Sequence, residues 1–299
     1  CYNEGKNLKE FYDNANECLK AIKHNFIFID DGSSDETMEE LKKIYNNDKD
    51  RIKIIGFARN FGKEAALYAG FLHAKNELVA VIDADLQQNP KYLVKMYKFL
   101  EENKQYDSIA MCQKQDKKRF LQTQFYNVMN HLSDVHLENG ASDFRMFRQS
   151  VVAAIISLSE KNRFSKGIFS YVNSNTYYDE YVVEERKHGK SNFGFKNSMN
   201  YAINGIVAFS TKPLRYITYL GTTTVSISLL YLLIYVIKCL SKTSTSEISM
   251  LIFLILFFSG IIITCIGIVG EYVGKIYNET KNRPIFITKV KIGFDEEIL

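Results

Sequence analysis

Over the first third of the chain, apolar residues fall in short runs closed by polar or turn-forming residues, and the segments between carry apolar positions at helical spacing. FIFID (Phe26–Asp30), RIKIIGF (Arg51–Phe57), ELVAVID (Glu77–Asp83) and YDSIAMC (Tyr106–Cys112) read as strands. Strand and helix in alternation predict parallel pairing through right-handed crossovers. The expected result is an open, Rossmann-like α/β sheet whose ligand crevice lies outside the carboxyl ends of the strands. Cys1 opens on what reads as the end of a strand-to-loop passage, so a short preceding strand is expected.

Farther along, the pattern changes. Tyr216–Ile237 and Ile248–Gly270 contain no charged residue and no His, and about 20 apolar residues suffice to cross a hydrocarbon core of roughly 30 Å. Two such runs, separated by KCLSKTSTSE, predict transmembrane helices over 216–237 and 248–270 rather than buried core helices. Before them, 192–215 mixes apolar and polar residues at helical spacing, as expected of amphipathic helices lying in the membrane interface. Lys196, Lys212, Arg215, Lys275, Lys281, Arg283 and Lys289 flank the pair, against Lys238 and Lys242 between them. Positive charge is retained on the cytoplasmic side, so both ends of the hairpin are placed there. The expected organisation is a cytoplasmic sheet domain (1–191), interfacial helices (192–215), two spans, and a cytoplasmic tail (271–299).

Composition narrows the function classes. The 299 residues are 46% hydrophobic and 24% charged, which excludes disorder and allows a sizeable core. The net charge of +4 is evenly spread and gives no basic groove for nucleic acid. Five cysteines lie far apart with no CxxC pair, supporting neither a disulfide framework nor a structural zinc site.

Two loops carry candidate chemistry. Asp30-Asp31-Gly32-Ser33 follows the first strand. Its adjacent carboxylates can accept hydrogen bonds from a base or a ribose, or they can simply cap the next helix, where Ser33 and Glu36 have capping-box spacing. Asp83-Ala84-Asp85-Leu86-Gln87 follows the apolar strand VAVI. Two carboxylates one residue apart at a strand end suit a hard divalent cation, Mg²⁺ or Mn²⁺, bound together with a diphosphate.

These loops, with Tyr2-Asn3-Glu4, Arg59-Asn60-Phe61-Gly62-Lys63 and Asp143-Phe144-Arg145, resemble the family 2 glycosyltransferases of GT-A fold. Phe209-Ser210, Pro213-Leu214-Arg215, the run Gly267–Gly274 and Arg283-Pro284 are similar to the two-span bacterial branch that makes polyprenyl-phosphate sugars. The resemblance implies that Tyr2, Glu4, Asp30, Asp31, Arg59 and Lys63 line the nucleotide pocket. It implies that Asp83, Asp85 and Gln87 surround the metal, with Asp83, Asp85 and Arg145 catalytic. Lys63 read by itself is equally a solvated charge at a helix start.

The acceptor is argued partly from absence. Polysaccharide synthases of the family carry QxxRW, and this chain has no Trp. A lipid phosphate is anionic near neutral pH and attacks without a general base, so its site needs cations. Arg119, Arg145, Arg186, Lys187 and Lys190 supply them, and Ser191 adjoins Lys190 in the acceptor loop that the resemblance implies. Three positions depart from the family pattern: Asn192 where GxSK has Lys, Gln113 where an Arg is usual, and Gln88 where an acid is usual. The reading is an inverting enzyme that moves a hexose-type sugar, with UDP-glucose first among donors, to undecaprenyl phosphate. It would be a multi-pass protein of the bacterial cell membrane, with its catalytic domain cytoplasmic and homo-oligomers compatible. The alternatives are a hydroxyl acceptor such as a glycolipid, or a noncatalytic scaffold that binds nucleotide sugar.

Overall fold

The computed structural model describes residues 1–113, 130–131, 138, 140–172, 175–184, 205–240 and 248–294. All four expected strands are present, as β1 (Phe26–Asp30), β2 (Ile52–Phe57), β3 (Leu78–Val81) and β4 (Ser108–Gln113). Between them lie α2 (Thr37–Asn47), α3 (Lys63–His73) and α4 (Lys91–Glu102), and α1 (Gly5–Leu19) precedes β1. Three further strands were not read from the pattern: β5 (Ala141–Arg148), β6 (Thr176–Tyr181) and β7 (Thr288–Ile292). Two short helices, α5 (Gln149–Ser157) and α6 (Ser165–Tyr171), separate β5 from β6.

The sheet is not the single parallel one expected. β1 pairs parallel with β2, and β7 adds antiparallel to β2. A second sheet runs β3-β5-β4-β6, with β5 antiparallel to both neighbours and β6 parallel to β4. The Asp30–Asp31 loop and the Asp83–Asp85 loop therefore leave different hydrogen-bonded sheets. A shared core joins them: Phe28 and Ile54 from the first sheet pack in one cluster with Ala84 and Leu86 from the loop after β3.

Residues 271–299 are not simply a tail. After α8 (Ile248–Thr280) the chain returns to the domain, where β7 covers the open edge of β2. Phe286 stacks on Phe57 at 4.8 Å between centroids, and Ala58 N–H donates to the Ile287 carbonyl at 2.9 Å. An edge that would otherwise present unpaired backbone groups is thereby closed.

The two apolar runs form long helices, α7 (Lys212–Leu240) and α8, about 43 and 50 Å long at 1.5 Å per residue. Residues 212–215, expected in the interfacial segment, are the first turn of α7. Of that segment, 205–209 form a helical turn, and 192–204 lie outside the described residues. Among the described residues one stretch, Phe257–Thr280, is long and apolar enough to cross a membrane, with a mean hydropathy of 1.7.

Candidate active site

The crevice is assembled by three loops and one strand. Asp30 and Asp31 close β1 with only 3% and 4% of their surface exposed. The capping box expected from Ser33 and Glu36 does not form. The Ser33 N–H donates to Asp30 Oδ1 at 3.1 Å and its hydroxyl to the same oxygen, while the start of α2 is held by Asp35 Oδ1, which accepts from Thr37 N–H at 3.0 Å. An Asp two residues before the first helical amide satisfies that orphan donor at closer range than Ser33 could.

Asp31 points across to the next loop. Its Oδ1 accepts from Phe61 N–H at 2.6 Å and its Oδ2 from Gly62 N–H at 2.9 Å. Burial pushes its pKa up, and these two amides oppose that. Asp31 thus braces the loop that opens α3. Close approach of the two loops is possible because Gly32 sits at φ +68° with its α-carbon against Arg59; a Cβ there would lie 2.3 Å from the Arg59 carbonyl carbon. Arg59 is exposed, its guanidinium 4.7 Å from the Phe61 ring centroid. Tyr2 is 40% exposed. Glu4 is tied over the same loop through its N–H to Thr37 Oγ1 at 2.9 Å, and its carboxylate accepts from Asn7 Nδ2.

Bracing the loop aims Lys63. Its ammonium lies 2.9 Å from Asp83 Oδ2 and 2.9 Å from Asp143 Oδ2. Asp143 arrives there through strand register. β3 and β5 pair antiparallel with Leu78 opposite Arg148 and Val81 opposite Arg145, so continuing the register past β3 sets Asp143 across from Asp83. Burial pulls the Lys63 ammonium down, and Asp143 and Asp83 outweigh it, leaving it above its ordinary range. For Asp143, burial pushes the carboxyl up, and Lys63 and Lys166 prevail, leaving it below its ordinary range. The Asp143 Oδ1 is buried without a hydrogen-bond partner.

Asp83 is held on its other side by Gln88, which is 6% exposed. Gln88 Nε2 donates to Asp83 Oδ2 at 3.0 Å, and Asp83 N–H donates to Gln88 Oε1 at 2.9 Å. An amide at this position can do both, which an acid could not. Asp85 Oδ1 accepts from Gln87 N–H at 3.1 Å, closing the turn in which Leu86 takes φ +63°. Among the described residues no three of His, Cys, Asp and Glu converge as a metal cluster.

Arg145 is 5% exposed, with its Nε donating to the Ser142 carbonyl at 2.9 Å and its guanidinium 4.9 Å from the Phe169 ring centroid. Arg119, Arg186, Lys187, Lys190 and Ser191 lie outside the described residues. Sequence reading missed Glu64, next to Lys63. Its carboxylate accepts from Ser165 N–H at 2.8 Å and from the Ser165 hydroxyl. Burial pushes its pKa up to about 7, with Asp143 adding to the rise and Ser165 and Lys63 opposing it.

An α/β domain with an acidic, cation-bridged crevice at its strand ends has its polar groups where open α/β sheets of ligand-binding enzymes bind their ligands. The particular family follows from comparison. Residues 1–156 match the model of glycosyl transferase family 2, and the chain belongs to that family and is a glycosyltransferase. It is 38% identical over 296 residues to the putative glycosyltransferase CsbB of Bacillus subtilis, covering 96% of this chain and 89% of that protein. It is 36% identical over 297 residues to the SfII prophage-derived bactoprenol glucosyl transferase of Shigella flexneri, covering 96% and 95%. Among solved structures, glucosyl-3-phosphoglycerate synthase from Mycobacterium tuberculosis, in complex with Mn²⁺, UDP and phosphoglyceric acid, superposes with a TM-score of 0.50 at 14% identity. That match covers 69% of this chain and 74% of the other, and it shows the shared fold.

Proposed function

We propose that this glycosyltransferase moves a hexose-type sugar from a nucleoside diphosphate, with UDP-glucose the first donor to test, to undecaprenyl phosphate at the cytoplasmic membrane face. The observation that carries the lipid acceptor is the path of the chain. It leaves the catalytic domain into α7 and comes back from α8 to pair β7 with β2, so a membrane crossing by α8 requires a second one by α7. Hydroxyls along both helices bond their own backbone: Thr222, Thr223 and Ser226 donate to carbonyls three or four residues earlier in α7, and Thr264 to Gly260 in α8. Polar groups in hydrocarbon have to be satisfied in this way. Leu230, Leu233 and Ile237 on α7, and Ile262, Ile263 and Ile266 on α8, stand uncovered by the rest of the protein. The names of the bactoprenol glucosyl transferase relatives agree with this acceptor.

In the reaction a phosphate oxygen attacks the anomeric carbon as the bond to the nucleoside diphosphate breaks, and the leaving group takes the electron pair. Direct attack on an α-linked donor inverts the centre. No proton need move, because the attacking oxygen is already ionised. Asp83, Asp85 and Gln87 would hold a divalent cation, and the fit is supported by the pull of Asp83 and Asp143 on the Lys63 ammonium, which shows a crevice field that favours positive charge. Such an ion, when bound, offsets the growing charge on the diphosphate. Asp30, the Tyr2–Glu4 segment and Arg59 form the nucleotide side, while Asp31 acts through the Phe61–Gly62 loop. The acceptor phosphate is assigned to Arg145 and, on sequence alone, to Arg119, Arg186, Lys190 and Ser191.

The test is incubation of the protein in bilayers with labelled nucleotide sugars and either undecaprenyl phosphate or the matching polyprenol. Transfer to the phosphate and none to the polyprenol is expected. Efficient glycosylation of the polyprenol would overturn the assignment in favour of a hydroxyl acceptor.

A further inference from the structure

One short stretch of chain touches both the crevice and the membrane hairpin. Glu279 lies in the last turn of α8, where the helix dipole disfavours an acid. What holds it there is the turn between α5 and α6. The Glu279 carboxylate accepts from Lys161 N–H at 2.9 Å, from Asn162 N–H at 2.9 Å and from Asn162 Nδ2 at 3.2 Å. In return, Lys161 Nζ donates to the Glu279 carbonyl at 3.2 Å and to Asn282 Oδ1 at 2.7 Å. Two successive backbone amides aimed at one carboxylate make a small anion-binding concavity, and charge-assisted bonds of this kind are among the stronger ones.

The same stretch reaches the chemistry a few residues later. Ser165 is held by Glu64, the neighbour of Lys63. Phe209, just before α7, packs so closely on Gly167 that a Cβ there would lie 2.5 Å from its ring. Phe169 carries the Arg145 guanidinium. Residues 161–169 therefore touch the end of α8, the approach to α7, and two side chains of the crevice.

We propose that Glu279 is a positioning residue for the lipid acceptor: it seats the end of α8 on the Lys161–Asn162 turn and so fixes the height and tilt of the crevice above the membrane surface. This rests on the reading of a lipid phosphate acceptor. The phosphate is anchored at a fixed depth by its chain, so a domain free to rock on the hairpin presents the donor to it at the wrong distance, and misplacement by about 1 Å costs on the order of a hundredfold in rate. A small, water-soluble phosphate diffuses to the crevice and is indifferent to the tilt.

The experiment uses the full chain in phospholipid bilayers. In Glu279→Gln, kcat/KM for bilayer-borne undecaprenyl phosphate should fall about tenfold, chiefly through KM, as expected for losing a charged acceptor of several bonds. Transfer to a ten-carbon, water-soluble isoprenyl phosphate should change less than about twofold. Asn162→Ala, which removes a single bond of the set, should act in the same direction and more weakly, and it serves if Glu279→Gln does not fold. Spin labels at positions 104 and 240, in a background without native cysteines, should give a distance distribution that broadens in either variant. Equal loss on both acceptors, or an unbroadened distribution, overturns the proposal. If the wild type uses neither phosphate, the acceptor reading fails, and the distance distribution alone then decides whether Glu279 holds the joint.

Discussion

Replacing Lys63 by Met keeps the aliphatic stem and removes the charge that Asp83 and Asp143 share. With both Oδ2 atoms 2.9 Å from one nitrogen, they are separated by no more than about 5.8 Å. Two unit negative charges at that distance repel by about 3 kcal/mol at an effective dielectric of 20 and by about 0.7 kcal/mol in bulk water. The Lys63 side chain is 46% exposed and that of Asp143 15%, so solvent screening sets a value between these, about 1 to 2 kcal/mol. Without the ammonium that repulsion stands uncompensated, so the Asp143 carboxyl should take up its proton at a higher pH than in the wild type. The direction follows from Asp143, where burial pushes up and Lys63 is the first of the charges that hold it down; without Lys63, burial gains. The assay is transfer rate against pH in bilayers: the acid limb of Lys63→Met should fall at a higher pH than in the wild type. Thermal stability gives a second readout if activity is lost. A depressed carboxyl contributes stability that is present above its unfolded pKa and lost as pH falls through the folded one, so the variant should lose that contribution at higher pH. An acid limb and a stability profile that both stay in place would refute the charge coupling.

Three other outcomes are expected. Asp85→Asn should abolish transfer and chelation should do the same to the wild type, so full activity in excess EDTA would remove the divalent cation from the reading. Glu64, raised to about 7 from 4.5, binds more protons folded than unfolded between those values, so stability should fall as pH climbs through that window. Thermal unfolding at pH 5 and 8 should show that loss in the wild type and a smaller one in Glu64→Gln. For topology, with native cysteines removed, a probe Cys at Ser244 should react with an impermeant reagent in intact cells and one at Asn282 should not; the reverse pattern would invert the hairpin.

What could be read from residues alone was local. The four apolar runs are strands because their side chains are buried by whatever packs on them, and the carboxylates of Asp83 and Asp85 sit at a strand end because they follow the run directly. The two uncharged stretches are helices for a comparable reason, since a long apolar segment has few other ways to satisfy its backbone. β6 (TYYDEY) and β7 (TKVKI) escaped notice because they lack apolar runs, and β7 takes strand form by completing the exposed edge of β2. Ser33 and Glu36 had the spacing of a cap, but Asp30 takes the Ser33 N–H and Asp35 the Thr37 N–H that opens α2. The site itself was beyond any local pattern. Lys63 meets Asp143 only because β5 runs antiparallel to β3 in one particular register, and Ser165 meets Glu64, and Lys161 meets Glu279, across separations of 101 and 118 residues. Spacing along a chain determines which groups share a strand end or a helix face; which distant ends come together is decided by how the sheets and the hairpin pack, and the electrostatics of this crevice arise from that packing.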